Sequence, residues 1–216
     1  MSTYLIELLA ELNRYSGIPG IVFFLLMMRK NGNIRIVFFV LLASFTADVT
    51  IYFFIRHVYP NSFIISNTWY LIDYGLLTWL FIKMIPERKG IVALLGIIFT
   101  IGGITSFLFF YSFLESNTFI KAFHSLAFTV LSIIAFFEVL RESPTDKLIH
   151  YPVFWIMTAI FLFSSVTLFK NLFQNYLIFE LALSMESYAY VHSFNNVFNI
   201  LKNLMFLYAF VLVKKG

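Results

Sequence analysis

Six polar residues recur along one stretch near the C-terminal end: His192, Asn195, Asn196, Asn199, Lys202 and Asn203. They fall at i, i+3, i+4, i+7, i+10 and i+11, which is one face of an α-helix. Four further ionisable groups, Asp48, Asp73, His124 and Lys170, stand alone in apolar surroundings. Their types admit several chemistries. Asparagine donates and accepts, which suits contacts to water or a polar ligand. Asp48 and Asp73 form a candidate acid pair. His124, His192 and Asp73 have the ligand types of a His–His–carboxylate metal site. Lys202 with Asp73 reads as a buried ion pair beside a ligand, or as a Schiff-base lysine with its counter-ion.

The flanking residues argue against the sharper of these. Retinal on Lys202 would call for an Arg-Tyr-x-Asp-Trp pattern around the helix-three acid. The chain instead reads Trp69-Tyr70-Leu71-Ile72-Asp73-Tyr74, and Phe198 stands one turn before the lysine, where an acid is expected. Intramembrane aspartyl proteases pair Tyr-Asp with Gly-x-Gly-Asp, and Leu71-Ile72-Asp73-Tyr74-Gly75 lacks those glycines. HExxH, GxSxG and Walker loops are absent. The expectation is a non-enzymatic protein without a cofactor or metal.

The elements that position these residues follow from composition. The chain has 216 residues, 61% hydrophobic and 12% charged, with a mean hydropathy of +0.88. Soluble domains carry about 25% charged residues, so an ordinary soluble enzyme is excluded, and so is disorder. With 29 Phe and 20% aromatics the surface suits lipid and its interfaces. No cysteine is present, so there is no disulfide, thiolate metal site or thiol nucleophile.

A membrane-crossing helix needs about 20 mostly apolar residues. Seven candidates are read: 3–28, 34–55, 63–84, 91–111, 118–140, 152–173 and 193–213. The expected fold is all-α, one seven-helix transmembrane domain over 1–216, with no soluble domain. The first span is interrupted by Glu7, Glu11, Asn13 and Arg14, so 3–15 spans or lies on the membrane. Acidic residues and the lack of a basic start leave no cleavable signal peptide expected. The 174–192 segment reads as an interfacial helix or a lid over the bundle mouth. Glu138 has Arg141 at i+3 as a local ion-pair partner.

Lys and Arg mark the cytosolic side. Arg29, Lys30, Arg35, Lys83, Arg88, Lys89, Arg141, Lys147, Lys214 and Lys215 flank alternate loops and the C-terminal end. The N-terminus is therefore expected outside and the C-terminus inside. The ionisable residues then share the outer half of the bundle. Lipid cannot satisfy them, so they face the bundle interior. Two readings stay open: a polar cavity opening outward, or amides and ion pairs that lock helices together. Interhelical hydrogen bonds of the second kind average about 0.6 kcal/mol and need no ligand.

Four segments carry a resemblance: Gly17-Ile18-Pro19-Gly20, WYLIDYGLLTWLFIK at 69–83, PVFWIMTAIFLFSSVTLF at 152–169 and HSFNNVFNILKNLMFLYAF at 192–210. In this order the chain resembles small seven-helix membrane proteins of Bacteroidota, which occur alone or as the membrane half of a sensor histidine kinase. That group more often carries Glu at the position of Asp73 and an apolar residue at that of Lys202. The resemblance implies signalling from a bacterial inner (cytoplasmic) membrane to a cytosolic histidine kinase or other partner. Because this sequence ends at Gly216, the kinase is expected to be a separate protein. The combined expectation is a sensor or receptor-like protein in the lipid bilayer, with no nucleic-acid partner. A small polar or lipidic ligand would meet Asp73, Asn195, Asn199 and Lys202, with Asp48, His124 and His192 around the rim. A small-solute carrier, whose site would also lie at the midplane, and a structural or assembly protein are the alternatives.

Overall fold

The computed structural model describes residues 3–27, 32–57, 63–109, 118–142, 145–175 and 185–215. Among these the chain is all-helical. The helices are α1 (Thr3–Tyr15), α2 (Ile18–Met27), α3 (Gly32–His57), α4 (Phe63–Met84), α5 (Lys89–Phe109), α6 (Thr118–Glu142), α7 (Pro152–Asn175) and α8 (Met185–Lys215). Short 3-10 turns at Pro86–Arg88 and Thr145–His150 precede α5 and α7.

Among the described residues, five segments are long and apolar enough to cross a membrane: Arg35–Phe53, Pro86–Ser106, Thr118–Arg141, Pro152–Phe173 and Ala189–Val213. That is the architecture of a multi-pass membrane protein. The 22-residue α4 has the length, but Asn67, Tyr70, Asp73 and Tyr74 load it with polar groups. The expected first span is two helices, broken at Ser16–Gly17. The Ser16 hydroxyl donates to the Asn13 carbonyl at 2.8 Å, closing the end of α1. Pro19 then sits in the first turn of α2, where its missing N–H costs nothing. Gly20 has a packing reason: a Cβ there would lie 2.9 Å from Leu41 Cδ1 and 3.6 Å from the Phe210 ring. Only glycine lets α2 approach α3 and α8 so closely.

The first two turns of α8 (185–192) come from the segment read as a lid or interfacial helix. There is no Gly or Pro between Pro152 and Gly216 to stop the helix sooner. Residues 176–184 of that segment lie outside the described residues.

Helices α3, α4, α6, α7 and α8 form a ring, with the most extensive packing along α6–α7–α8. Helix α5 packs outside it on α4 and α6, while α1 and α2 fill the seam between α8 and α3. Exposed Leu94, Ile97, Ile98, Ile101 and Ile104 give α5 an apolar outer face, as expected of a lipid-facing helix.

Along its length the ring divides into two halves. One is a close-packed apolar core. It holds Val37 and Leu41 of α3, Leu80 and Phe81 of α4, and Phe128 and Leu131 of α6. Ile156 and Ile160 of α7 and Phe206 and Phe210 of α8 complete it. The candidate site residues of every ring helix lie on the other side of this layer. They follow the core positions in α3 and α7 and precede them in α4, α6 and α8, as alternating chain direction requires.

At the apolar end, Arg88 donates to Glu138 Oε1 at 2.9 Å. Arg141 reaches Glu138 Oε2 at 2.8 Å and also pairs with Glu87. The i, i+3 pair expected from spacing is thus part of a four-residue network. It ties the 3-10 turn before α5 to α6.

Candidate functional site

The polar half of the ring encloses a cavity of about 440 Å³. Ligand pockets commonly fall between about 300 and 1,000 Å³. Helix α3 contributes Ser44 and Asp48, α4 Ser66, Tyr70 and Asp73, and α6 Lys121, His124 and Ser125. Helix α7 contributes Ser164, Thr167, Lys170 and Asn171, and α8 His192, Asn199 and Lys202. Six of the seven residues singled out as ligand contacts therefore line one space.

A second hollow of about 430 Å³ adjoins it and shares Asp48, Ile51 and His192. It is completed by Asn13, Arg14, Tyr52 and Asn196. Arg14 is engaged there, with both Glu11 carboxylate oxygens at 2.8 Å and the Tyr52 ring at 3.8 Å.

Asp73 does not pair with Lys202, contrary to the expected ion pair. Its Oδ2 lies 3.2 Å from His124 Nε2, close but without hydrogen-bond alignment. The reason is register. Asp73 and His124 face each other across the α4–α6 contact, and the imidazole is held there by Tyr70 and Phe128, each edge-on, with ring centroids 5.4 and 4.7 Å away. Lys202 stands over the Phe163 ring at 4.2 Å, a cation–π contact. Asp48 and Asp73 both act on its ammonium electrostatically. No ion pair within 4 Å joins Lys202 to either of them.

The α8 stripe is split rather than directed at one cavity. Asn195 is absent from the lining, and its Oδ1 accepts a 2.8 Å hydrogen bond from Thr167, fastening α8 to α7. Asn196 Oδ1 accepts from Asn13 Nδ2 at 3.2 Å. Asn199 donates to Asn13 Oδ1 at 2.7 Å, and Asn203 to Ser16 Oγ at 2.7 Å. Three of the asparagines thus clamp α1 and the α1–α2 break. The i, i+3, i+4, i+7 pattern is a face about 100° wide, and α8 has α7 on one side of that face and α1 on the other.

Further residues belong to this site beyond the seven candidate ligand contacts. Asn13 reads from sequence as an interruption of a span and Ser16 carries no signal, whereas both are partners of the α8 amides. Ser164, Thr167 and Asn171 share a face at i, i+3 and i+7, a spacing that was available to find. Lys121 lies three residues before His124 on α6 and lines the same cavity.

Some buried polar atoms bordering the cavity have no protein partner among the described residues. These are both amide atoms of Asn171, Oδ1 of Asn199 and Nε2 of His124. Buried polar atoms are almost always hydrogen-bonded, so the cavity has unspent capacity to bind a polar molecule. No three His, Cys, Asp or Glu residues cluster as metal ligands among the described residues.

Fold and cavity together define a class: a multi-pass helical membrane bundle with a polar chamber in one half of its length and an apolar seal in the other. Compared with family models, curated proteins and solved structures, the chain finds no match.

Proposed function

We propose that this chain is a membrane-embedded sensor or receptor-like protein that binds a small polar or lipidic molecule in the α3–α4–α6–α7–α8 cavity. It signals to a cytosolic partner such as a histidine kinase. In this reading α1–α2 together and α3 to α8 cross the bacterial inner membrane seven times, with the N-terminus outside and the C-terminus inside. The cavity then faces outward. The resemblance to the Bacteroidota membrane proteins and the basic flanks of alternate loops support this orientation.

The observation that carries the proposal is the division of the ring. A polar chamber bordered by amide atoms without a partner among the described residues ends blindly on the packed layer of Leu41, Phe81, Phe128, Leu131 and Phe206. A dead-ended chamber suits binding and readout, whereas a carrier has to open that layer in every cycle. Helix α8 links the two halves: Asn199 and Lys202 line the chamber, and Phe206 and Phe210 lie in the seal. A ligand that prefers one packing of α7 and α8 shifts the population at the cytosolic end, and only such a preference does so.

Native mass spectrometry of gently purified protein tests this, with wild type beside Asp73→Asn and Asn199→Leu. A defined small molecule in the wild type, absent from folded variants, is the expected result. Bulk lipid alone in all three, with variants that are merely less stable, refutes the pocket. The bonds of Asn196 to Asn13 and of Asn203 to Ser16 favour that second, structural reading for those two residues specifically. Solute uptake into vesicles, abolished by Asp73→Asn, would replace the sensor by a carrier.

A further inference from the structure

On its outer side the ring carries a groove of about 570 Å³ between α3 and α4. Leu42, Ala43 and Ala47 of α3 and Ile65, Ile72 and Leu76 of α4 line it. Leu42 and Ile72 are exposed, so the groove opens on a face that suits lipid. Two hydroxyls in its lining are spent within α3. Thr46 donates to the Leu42 carbonyl at 2.8 Å, and Thr50 to the Thr46 carbonyl at 2.7 Å. What the groove offers is apolar contact. From Phe39 to Thr50 it follows α3 for about 16 Å, at about 1.5 Å per residue. That is about half of the ~30 Å hydrocarbon core, the length of one acyl chain.

The groove and the polar chamber share a wall. Consecutive α3 residues divide between them: Ala43 lines the groove and Ser44 the chamber, Ala47 the groove and Asp48 the chamber. With such short side chains the partition is thin. Half-buried Trp69 of α4 lines both spaces, and among the described residues it alone does so.

On the chamber side Asn171 is 3% exposed, and neither atom of its amide has a partner among the described residues. Buried Asn199 keeps its Oδ1 unpartnered as well. These atoms present one donor and two acceptors. A head that only accepts leaves both oxygens unsatisfied, and a hydrocarbon leaves all three atoms so. A hydroxyl or an amide donates and accepts, and so satisfies both kinds. A helix of a neighbouring protein fills the groove and leaves these atoms bare. A water-soluble solute fills the chamber and leaves the groove unused. One molecule with an alkyl chain and a hydrogen-bonding head uses both.

We infer that the bound molecule is a neutral single-chain amphiphile drawn from the bilayer, with its alkyl chain in the α3–α4 groove and its hydroxyl- or amide-bearing head in the chamber. The head passes between α3 and α4 at Trp69, whose indole is the gate. This inference rests on the proposed pocket and names the ligand class and its route of entry.

The test uses the full chain in nanodiscs of dioleoylphosphatidylcholine. The probe is a monoacylglycerol with a diazirine in its acyl chain, photolysed in place, and labelled peptides are read by mass spectrometry. Saturable labelling within 39–50 and 65–76 is expected, displaced by monododecanoylglycerol and not by glycerol or dodecane. Asn171→Leu gives up no hydrogen bond to a described residue, so it should fold and weaken probe affinity about tenfold. Ala47→Phe fills the groove and should also abolish displaceable labelling. Thr46→Phe, on the exposed side of the groove, serves if Ala47→Phe does not fold. Trp69→Ala should speed both association and release of the probe, because a gate sets rates where a mere contact sets affinity. Absent or unsaturable labelling overturns the inference, as does displacement by dodecane or wild-type affinity in Asn171→Leu. Protection of the groove by a second copy, seen as a dimer in the native mass spectrum, overturns it too. A water-soluble molecule without an alkyl chain, found by native mass spectrometry and lost in Asn199→Leu, would uphold the pocket and end the amphiphile.

Discussion

Among the described residues, Asn13 takes two of the three side-chain hydrogen bonds that tie α8 to α1 and to the α1–α2 break, so Asn13→Leu is the most informative perturbation of the polar clamp. It removes the donor to Asn196 and the acceptor of Asn199 together. Both partners are themselves buried. Interhelical hydrogen bonds in membranes are worth about 0.6 kcal/mol on average and about 1.7 at most. Two of them place the loss between about 1.2 and about 3.4 kcal/mol. A buried partner left unsatisfied costs about 1–3 kcal/mol, which moves the expectation to the upper part of that range, near ~3 kcal/mol. Unfolding by sodium dodecyl sulfate from mixed micelles, followed by tryptophan fluorescence, measures it. Asn13→Leu combined with Asn199→Leu should lose less than the sum of the two, because the pair shares one bond. A loss for Asn13→Leu below about 0.5 kcal/mol, the scale of a neutral surface change, refutes the clamp. So would strict additivity of the double variant.

Thr167→Val removes only the Asn195 bond and should cost about 1 kcal/mol, clearly less than Asn13→Leu in the same assay. Gly20→Val forces side-chain atoms into buried Leu41 and Phe210 and should destabilise by about 1–3 kcal/mol. Gly17→Ala, whose Cβ meets nothing nearer than 3.8 Å, should be tolerated in parallel melts. Arg88→Met should cost under about 1 kcal/mol, since the Arg88 side chain is 47% exposed and Glu138 keeps Arg141. Single cysteines introduced at position 4 and at position 215 of this cysteine-free chain should react oppositely with a membrane-impermeant maleimide on intact cells. Labelling at 4 and protection at 215 is the outcome expected for an outside N-terminus.

Helix existence was readable because apolar runs between short polar breaks leave the backbone few choices in a chain this hydrophobic. The division of α1 from α2 was foreshadowed by Gly17 and Pro19. The start of α8 was not, because a segment with Leu, Met and Tyr on one face reads equally as an interfacial helix and as the early turns of a longer one. The cavity list was readable for a similar reason. Ionisable groups in lipid-facing sequence have only the bundle interior to turn to, and the interior of one ring is a small place.

Partners were another matter. Asp73 and Lys202 looked like a pair because they are opposite charges at one depth, but depth does not say which helices touch. The α4–α6 contact brings His124 to Asp73, and Lys202 is left over Phe163. Likewise a stripe of amides on α8 does not reveal that one neighbour is α7 and another is α1. Composition and periodicity thus determined the all-helical, membrane-suited architecture and the polar half in which the site lies, because burial of polar groups is a local constraint each helix obeys alone. Which asparagines became bolts and which residues were left facing the chamber were decided by helix packing. Those are properties of pairs of residues far apart in sequence, such as Asn13 with Asn199 or Thr167 with Asn195, and no single helix carries them.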